Sequence, residues 1–397
     1  MKRFGLALAA GLVAIIGVPL VAQTLPAAFA PVPASPLVPS SAPLAAEAPI
    51  ALLTDLGSGQ VLFARGANRR FIPASITKVM TAYVAFDLMA HGKLLANQRL
   101  TMSDGAFNEW ADKGSTMFLA RGSQPTVEEL LMGITTVSAN DACIVLAEGA
   151  AGSVANWVAL MNAQARALGM HDSHFGTPNG WPDDGATYVS AHDLTLLARA
   201  ILTRYPLYYQ HFFGHPQMTW NGITQPNHDP TLGVIPGADG MKTGFTNQAG
   251  YGFLGSAIRG GRRLVMVVAG VDSGRARRKA AQDLIEWGFA AWDTQRLFDE
   301  GALVGEAQVQ GGDARHVGLA APHALFVATP SRAIGTPRLR IVYDGPIAAP
   351  ILKGAEIARL EVRVGNAPPH SLPLVAAAAV GPAGPVDRLI NGLANLL

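Results

Sequence analysis

The sequence predicts an α+β protein: an antiparallel sheet covered by helices, followed by a small all-β domain and a C-terminal amphipathic helix. Three observations predict it. Strand-like segments open the folded region, helical periodicity fills the middle, and strand texture returns after Gly240 before one more helix closes the region. Beyond about residue 297 only short β segments broken by Gly and Pro remain.

The elements follow in chain order. "PIALLTDLGSGQVLFARG" reads as two strands around a Gly-Ser-Gly turn. In "PASITKVMTAYVAFDLM", residues 73 to 89, the spacing of Ile76, Val79, Met80, Tyr83 and Val84 predicts a helix that starts after Pro73 and buries one face. Thr126 and Glu129 form a capping box ahead of "LLMGITTV"; Ser153 precedes "WVALMNAQARALGM", and Ser190 with Asp193 opens "LTLLARAIL". "GYGFLGSAI" and "RLVMVVAGV" make a hairpin about Gly260 and Gly261, and "RKAAQDLIEWGFAAW" returns to helical spacing. "ALFVAT", "RLRIVYD" and "EIARLEVRV" are the strands of the second domain. In "VDRLINGLANLL" Val386, Leu389, Ile390, Leu393, Leu396 and Leu397 share one helical face.

A chain of 397 residues, 49% hydrophobic, can bury a large core and more than one domain. Its formal charge of +2, with charged residues at 15% and no long basic tract, excludes an electrostatic case for nucleic acid. Lys2 and Arg3 ahead of the uncharged run Phe4 to Ala22 have the form of a secretory signal. "LVA" ending at Ala22 offers a small residue at the cleavage position, while "AFA" ending at Ala30 is followed by Pro31, which ordinary signal processing handles poorly. The run is also long enough for an uncleaved anchor, although Pro19 interrupts it. The Pro/Ala-rich residues 23–47 read as a tether without packed elements. The lone cysteine, Cys143, lies in an apolar helical stretch and reads as a core residue.

Three short patterns carry chemistry. Ser75 and Lys78 lie one turn apart; a serine hydroxyl needs a group to take its proton, and a lysine amine does so once burial or another cation lowers its pKa. Ser138 and Asn140, in "TTVSANDAC", sit at a turn between helices, where a hydroxyl and an amide can relay a proton and hold a peptide carbonyl. Lys242, Thr243 and Gly244 precede the hairpin; a strand edge there presents an ammonium and a hydroxyl, with glycine letting a ligand backbone approach. Each alone also fits a helix cap, a turn or a surface strand.

Together, as S-x-x-K, S-x-N and K-T-G in that order, they resemble the signature of penicillin-recognising serine enzymes. The longer stretches around them resemble the low-molecular-mass penicillin-binding proteins that act as D-alanyl-D-alanine carboxypeptidases. The resemblance implies a β-lactamase/transpeptidase-like catalytic domain over residues 48–292, a β-rich domain over 297–375 and a linker with a membrane-associating helix over 376–397, behind a signal at 1–22. It implies that Ser75 attacks the terminal D-Ala-D-Ala bond of a peptidoglycan stem peptide with Lys78 as base. Ser138 and Asn140 would assist proton transfer, Lys242 and Thr243 would bind the terminal carboxylate, and the amides of Ser75 and Phe245 would hold the oxyanion. No cofactor or metal is implied. β-Lactam antibiotics are the expected covalent inhibitors, and the periplasmic face of the inner membrane is the expected location. Phe245 stands where many members carry histidine. The rival activities are cross-link endopeptidase and, more remotely, β-lactamase. The latter lacks its glutamate, since none occurs between Glu148 and Glu286, leaving only Asp172, Asp183 or Asp184 as substitutes.

Overall fold

The computed structural model describes residues 23–24, 48–331, 336–365 and 369–384. The signal at 1–22, nearly all of the tether and the amphipathic face at 386–397 lie outside the described residues. The described residues divide into two compact units, the larger comprising 48–295 with 326–331, the smaller 296–325, 336–365 and 369–384 with 23–24.

The larger unit holds strands β1 (Ile50–Asp55), β2 (Val61–Arg65), β3 (Gln217–Trp220), β4 (Ile223–Pro226), β5 (Ala238–Thr246), β6 (Gly250–Arg259) and β7 (Arg262–Val271). Its helices are α1 (Lys78–Ala90), α2 (Asp104–Trp110), α3 (Val127–Met132), α4 (Asn140–Ala151), α5 (Val154–Ala167), α6 (Ala191–Arg204), α7 (Pro206–Phe212) and α8 (Gly274–Ala291). Five strands form an antiparallel sheet in the order β2-β1-β7-β6-β5, which leaves β5 as an edge. Side chains alternate across it, so Ile50, Leu52, Val265 and Val267 join the core under α1, α4 and α6, while Ala51, Leu53, Leu264 and Met266 pack beneath α8.

The expected caps are present: Thr126 with Glu129 closes a capping box, and the hydroxyls of Ser153 and Ser190 accept from Asn156 N and Asp193 N. The helix at the first motif differs from expectation in two ways. It opens with a 3-10 turn, Ala74–Thr77, before α1 begins at Lys78. α1 also buries every residue from Lys78 to Phe86 rather than one face, because it runs through the centre of the helical layer. Residues 326–331 join the larger unit although "ALFVAT" reads as a strand of the second domain. The Gln60 side-chain amide holds them there, donating to Ala328 O at 3.2 Å and accepting from Ala328 N at 2.5 Å.

The smaller unit is built on a seven-stranded sheet ordered Gln23–Thr24, Arg338–Tyr343, Glu356–Arg363, His370–Ala376, His316–Ala320, Leu303–Gln310, Ile347–Ala348. Ala358, Leu360 and Val362 are buried at every second position. Gln23–Thr24 pairs in parallel with Val342 and Tyr343, a paired element inside the expected tether; an open sheet edge accepts any extended chain because pairing uses backbone groups alone. Among the described residues no single helix is long and apolar enough to cross a membrane.

Candidate active site

The three motifs meet at one cleft of about 680 Å³, lined by Ser75, Ser138, Asn140, Thr243, Gly244 and Phe245 among others. The turn Ala74–Thr77 presents Ser75 half-buried, and the preceding Ala74 has φ 49°, a left-handed conformation that costs a non-glycine residue on the order of 1–3 kcal/mol. Two glycines let other segments touch this turn. A Cβ on Gly244 would lie 2.3 Å from Pro73 O, and one on Gly180 would lie 1.8 Å from Ala74 O, so strand β5 and the loop 178–181 both rest on the turn's backbone.

Lys78 is 1% exposed. Its Nζ lies 2.9 Å from Ser75 Oγ, 2.8 Å from Asn140 Oδ1 and 2.7 Å from the Asn179 carbonyl. Burial lowers its pKa to about 8, against the opposing pull of Asp141. A neutral amine has two N–H donors and one lone pair. Asn140 Oδ1 and Asn179 O accept the two donors, which turns the lone pair toward the Ser75 hydroxyl.

Ser138 ends a π-helical turn, Gly133–Val137, with φ 65°, and this reversal brings it and Asn140, the first residue of α4, to the cleft. Asn140 Nδ2 donates to Lys113 O at 2.8 Å and its backbone N to Ser115 O at 2.7 Å. The buried Asp141 carboxylate accepts from the amides of Met117, Leu119 and Ala142. The start of α4 thus grips both the Lys78 amine and the loop 113–119.

On the opposite wall, edge strand β5 carries Lys242 and Thr243, 3% and 6% exposed. Burial, then the charges of Lys78 and Arg277, hold the Lys242 pKa well below the ordinary lysine value. Its Nζ donates to Thr243 O at 3.1 Å. Phe245, 47% exposed, stacks on Tyr251 with centroids 4.2 Å apart. Among the described residues no group of three or more His, Cys, Asp or Glu side chains is placed to hold a metal. Cys143 is fully buried, its thiol pushed up to about 12 by burial, and so remains protonated.

A family model described as D-alanyl-D-alanine carboxypeptidase matches residues 38–273 of this chain, the span that carries every residue lining the cleft except Arg277. The chain belongs to that family. It is a serine D-alanyl-D-alanine carboxypeptidase of the low-molecular-mass penicillin-binding class. A second model, the C-terminal domain of penicillin-binding protein 5, matches residues 292–382. The chain is 33% identical to D-alanyl-D-alanine carboxypeptidase DacD of Salmonella typhimurium over 87% of its own length and 90% of the relative's. DacA of Haemophilus influenzae is likewise 33% identical, over 86% and 87%. Among solved structures, penicillin binding protein 5 from Haemophilus influenzae aligns with a TM-score of 0.76 at 33% identity, covering 84% of this chain and 98% of that one. Penicillin-binding protein D2 from Listeria monocytogenes, solved in its ampicillin-bound form, aligns with 0.54 at 29% identity over 61% and 97%.

Around this carboxypeptidase site lie residues that sequence reasoning did not select. Asn179 contributes a backbone carbonyl, which no residue type signals. Thr81, one turn after Lys78, donates to Pro178 O at 2.6 Å and fixes the same loop. Arg277 lines the cleft near Tyr251, its Nε buried and without a hydrogen-bond partner. Its signal was a cluster of basic residues in the first turn of α8, where the helix dipole disfavours them. Trp181 closes the end near Gly114, edge-on to Trp110 at 5.6 Å.

Proposed function

We propose that this carboxypeptidase removes the terminal D-alanine of peptidoglycan stem pentapeptides through an acyl-enzyme on Ser75. The observation that carries the reading is the Lys78 amine, buried and saturated by two fixed acceptors beside the serine. Ser75 Oγ attacks the carbonyl carbon of the penultimate D-alanine while its proton passes to Lys78 Nζ. The backbone N–H groups of Ser75 and Phe245 hold the oxyanion, each such donor contributing a factor of about 10² to 10³. The proton then reaches the departing amine through Lys78 and Ser138, D-alanine leaves, and water hydrolyses the ester to restore Ser75. Asn140 positions both base and substrate. Thr243 supplies a hydroxyl, and Arg277 and Lys242 basic groups, for the terminal carboxylate.

A penicillin would acylate Ser75 in the same way and hydrolyse slowly. Neither Asp183 nor Asp172 lines the cleft, and both are engaged elsewhere: Asp183 accepts from Thr187 N and Oγ1, and Asp172 pairs with Arg70 at 3.0 Å. Asp184 does not line the cleft. The comparisons match carboxypeptidases and lend no support to the endopeptidase and β-lactamase alternatives. Incubation with a stem pentapeptide and a cross-linked muropeptide tests the reading: free D-alanine from the first and an intact second is the expected result, and cleavage of the cross-link alone would overturn it.

The location belongs to the same proposal. The apolar run to Ala22 exports the chain, and residues 386–397 lie on the periplasmic face of the inner membrane. Twelve helical residues span about 18 Å against a hydrocarbon core of about 30 Å, so they cannot cross. Lipid-vesicle sedimentation of the mature protein and of a form ending at Pro385 separates attachment from docking on the protein. Equal partition of both forms would contradict the anchor.

A further inference from the structure

The loop between β4 and β5 carries an imidazole into the cleft from outside the three motifs. Among the residues lining that cleft His228 is the single histidine, on the same wall as Thr243, Gly244 and Arg277. Its presentation is fixed on both sides. Asn227 donates through Nδ2 to His215 O at 2.7 Å and through its backbone N to Pro216 O at 2.8 Å. The Asp229 carboxylate accepts from Thr231 N at 2.7 Å and Thr231 Oγ1 at 2.5 Å, and Asp229 N donates to Asn227 Oδ1 at 2.9 Å. Between these two clamps the His228 ring is solvent-accessible and has no hydrogen-bond partner among the described residues.

The charges that face it come from each neighbouring element. Lys242 projects from β5 and Arg277 from the first turn of α8, while Tyr251 on β6 lies against Arg277. Its chain neighbour Asp229 has its carboxylate turned to Thr231 and shifted up by burial. Burial, then Lys242 and Arg277, hold the imidazole below its ordinary pKa, which favours its neutral form near neutral pH. An anion placed among Lys242, Arg277 and Thr243 reverses that balance.

We infer that His228 is a further recognition residue for the carboxylate end of the substrate, acquiring its positive charge when that carboxylate enters. The inference rests on the reading of the Lys242, Thr243 and Arg277 wall as the carboxylate side. By linkage, binding takes up a proton from solvent and tightens as pH falls through the imidazole range; one unit of coupling corresponds to about tenfold in affinity. Phe245, apolar and set against Tyr251, puts no titrating group at the end of the strand, which leaves this imidazole and Lys242 to give the leaving-group side its pH response.

The test is equilibrium binding to the full chain with Ser75→Ala, which prevents turnover. The probe is an N-acylated tripeptide ending in D-Ala-D-Ala, titrated calorimetrically at about pH 5.5 and about pH 7, where Lys78 stays largely protonated and the peptide carboxylate stays ionised. Buffers of different ionisation enthalpy report the proton uptake. Tighter binding at the lower pH with proton uptake is expected, and the C-terminally amidated peptide is expected to show neither. His228→Gln should abolish the pH dependence, and His228→Arg should give the tight form at both values. Persistence of the pH dependence and proton uptake in His228→Gln would assign the titration to Lys242 and overturn this inference alone. Absence of binding at either pH, in a protein with unchanged melting temperature, would overturn the carboxylate reading and this inference with it.

Discussion

Asn140 Oδ1 and Asn179 O lie 2.8 Å and 2.7 Å from the same lysine nitrogen, which leaves Lys78 with one direction for its lone pair, the hydroxyl of Ser75. The amide side chain comes from the first turn of α4 and the carbonyl from the loop after α5. Three separate segments therefore meet at one nitrogen, and the chemistry depends on how firmly each is held.

Acylation should require Lys78 in its neutral form. With its pKa lowered to about 8, about one tenth of the amine is neutral at pH 7. The rate of acylation by a penicillin should rise about tenfold per pH unit below that value and level off above it. Lys78→Ala should abolish acylation and the pH dependence together. Near wild-type acylation in that variant would mean that another residue is the base.

Arg277→Ala should raise KM for a D-Ala-D-Ala peptide by about 10- to 100-fold, the equivalent of one charged hydrogen bond, with kcat far less affected. Steady-state kinetics on the free-acid and amidated peptides checks this. An equal effect on both peptides would show that Arg277 acts on the fold rather than on the carboxylate.

Gly180→Ala should damage the nucleophile from the loop side. The added Cβ would meet Ala74 O at 1.8 Å, and Gly180 has φ +75°, where an alanine is strained even with space around it. Slower acylation and a lower melting temperature are expected. A variant that acylates and melts like wild type would show that this contact does not set the position of Ser75.

The lysine, serine and amide side chains were legible in the sequence because their chemistry needs particular residue types at particular spacings, and S-x-x-K, S-x-N and K-T-G preserve both. The supports were not. The Asn179 carbonyl is a backbone atom that any residue supplies, and Arg277 stands among Arg275, Arg278 and Lys279 with nothing to single it out. Periodicity gave α1 its buried stripe but could not reveal that helices cover its remaining sides. The 3-10 turn at Ser75 escaped for a similar reason, since contacts from Gly180 and Gly244, distant in the chain, shape it.

Asp141→Asn should loosen the loop 113–119 without touching Ser75. The carboxylate holds three amides, and weakening such charged hydrogen bonds costs about 1.5–3 kcal/mol, or about 4–8 °C in melting temperature for a domain of this size. Acylation should slow as Asn140 loses its anchor at Lys113 and Ser115. Calorimetry and acylation kinetics together check this, and an unchanged melting temperature would contradict it.

The most direct measurement is intact-mass spectrometry of the full chain with penicillin, followed by peptide mapping. The account predicts one adduct per chain, long-lived, on the peptide containing Ser75, and no adduct on Ser75→Ala. An adduct on another residue, labelling that survives Ser75→Ala, or rapid consumption of penicillin without a trapped species would contradict it.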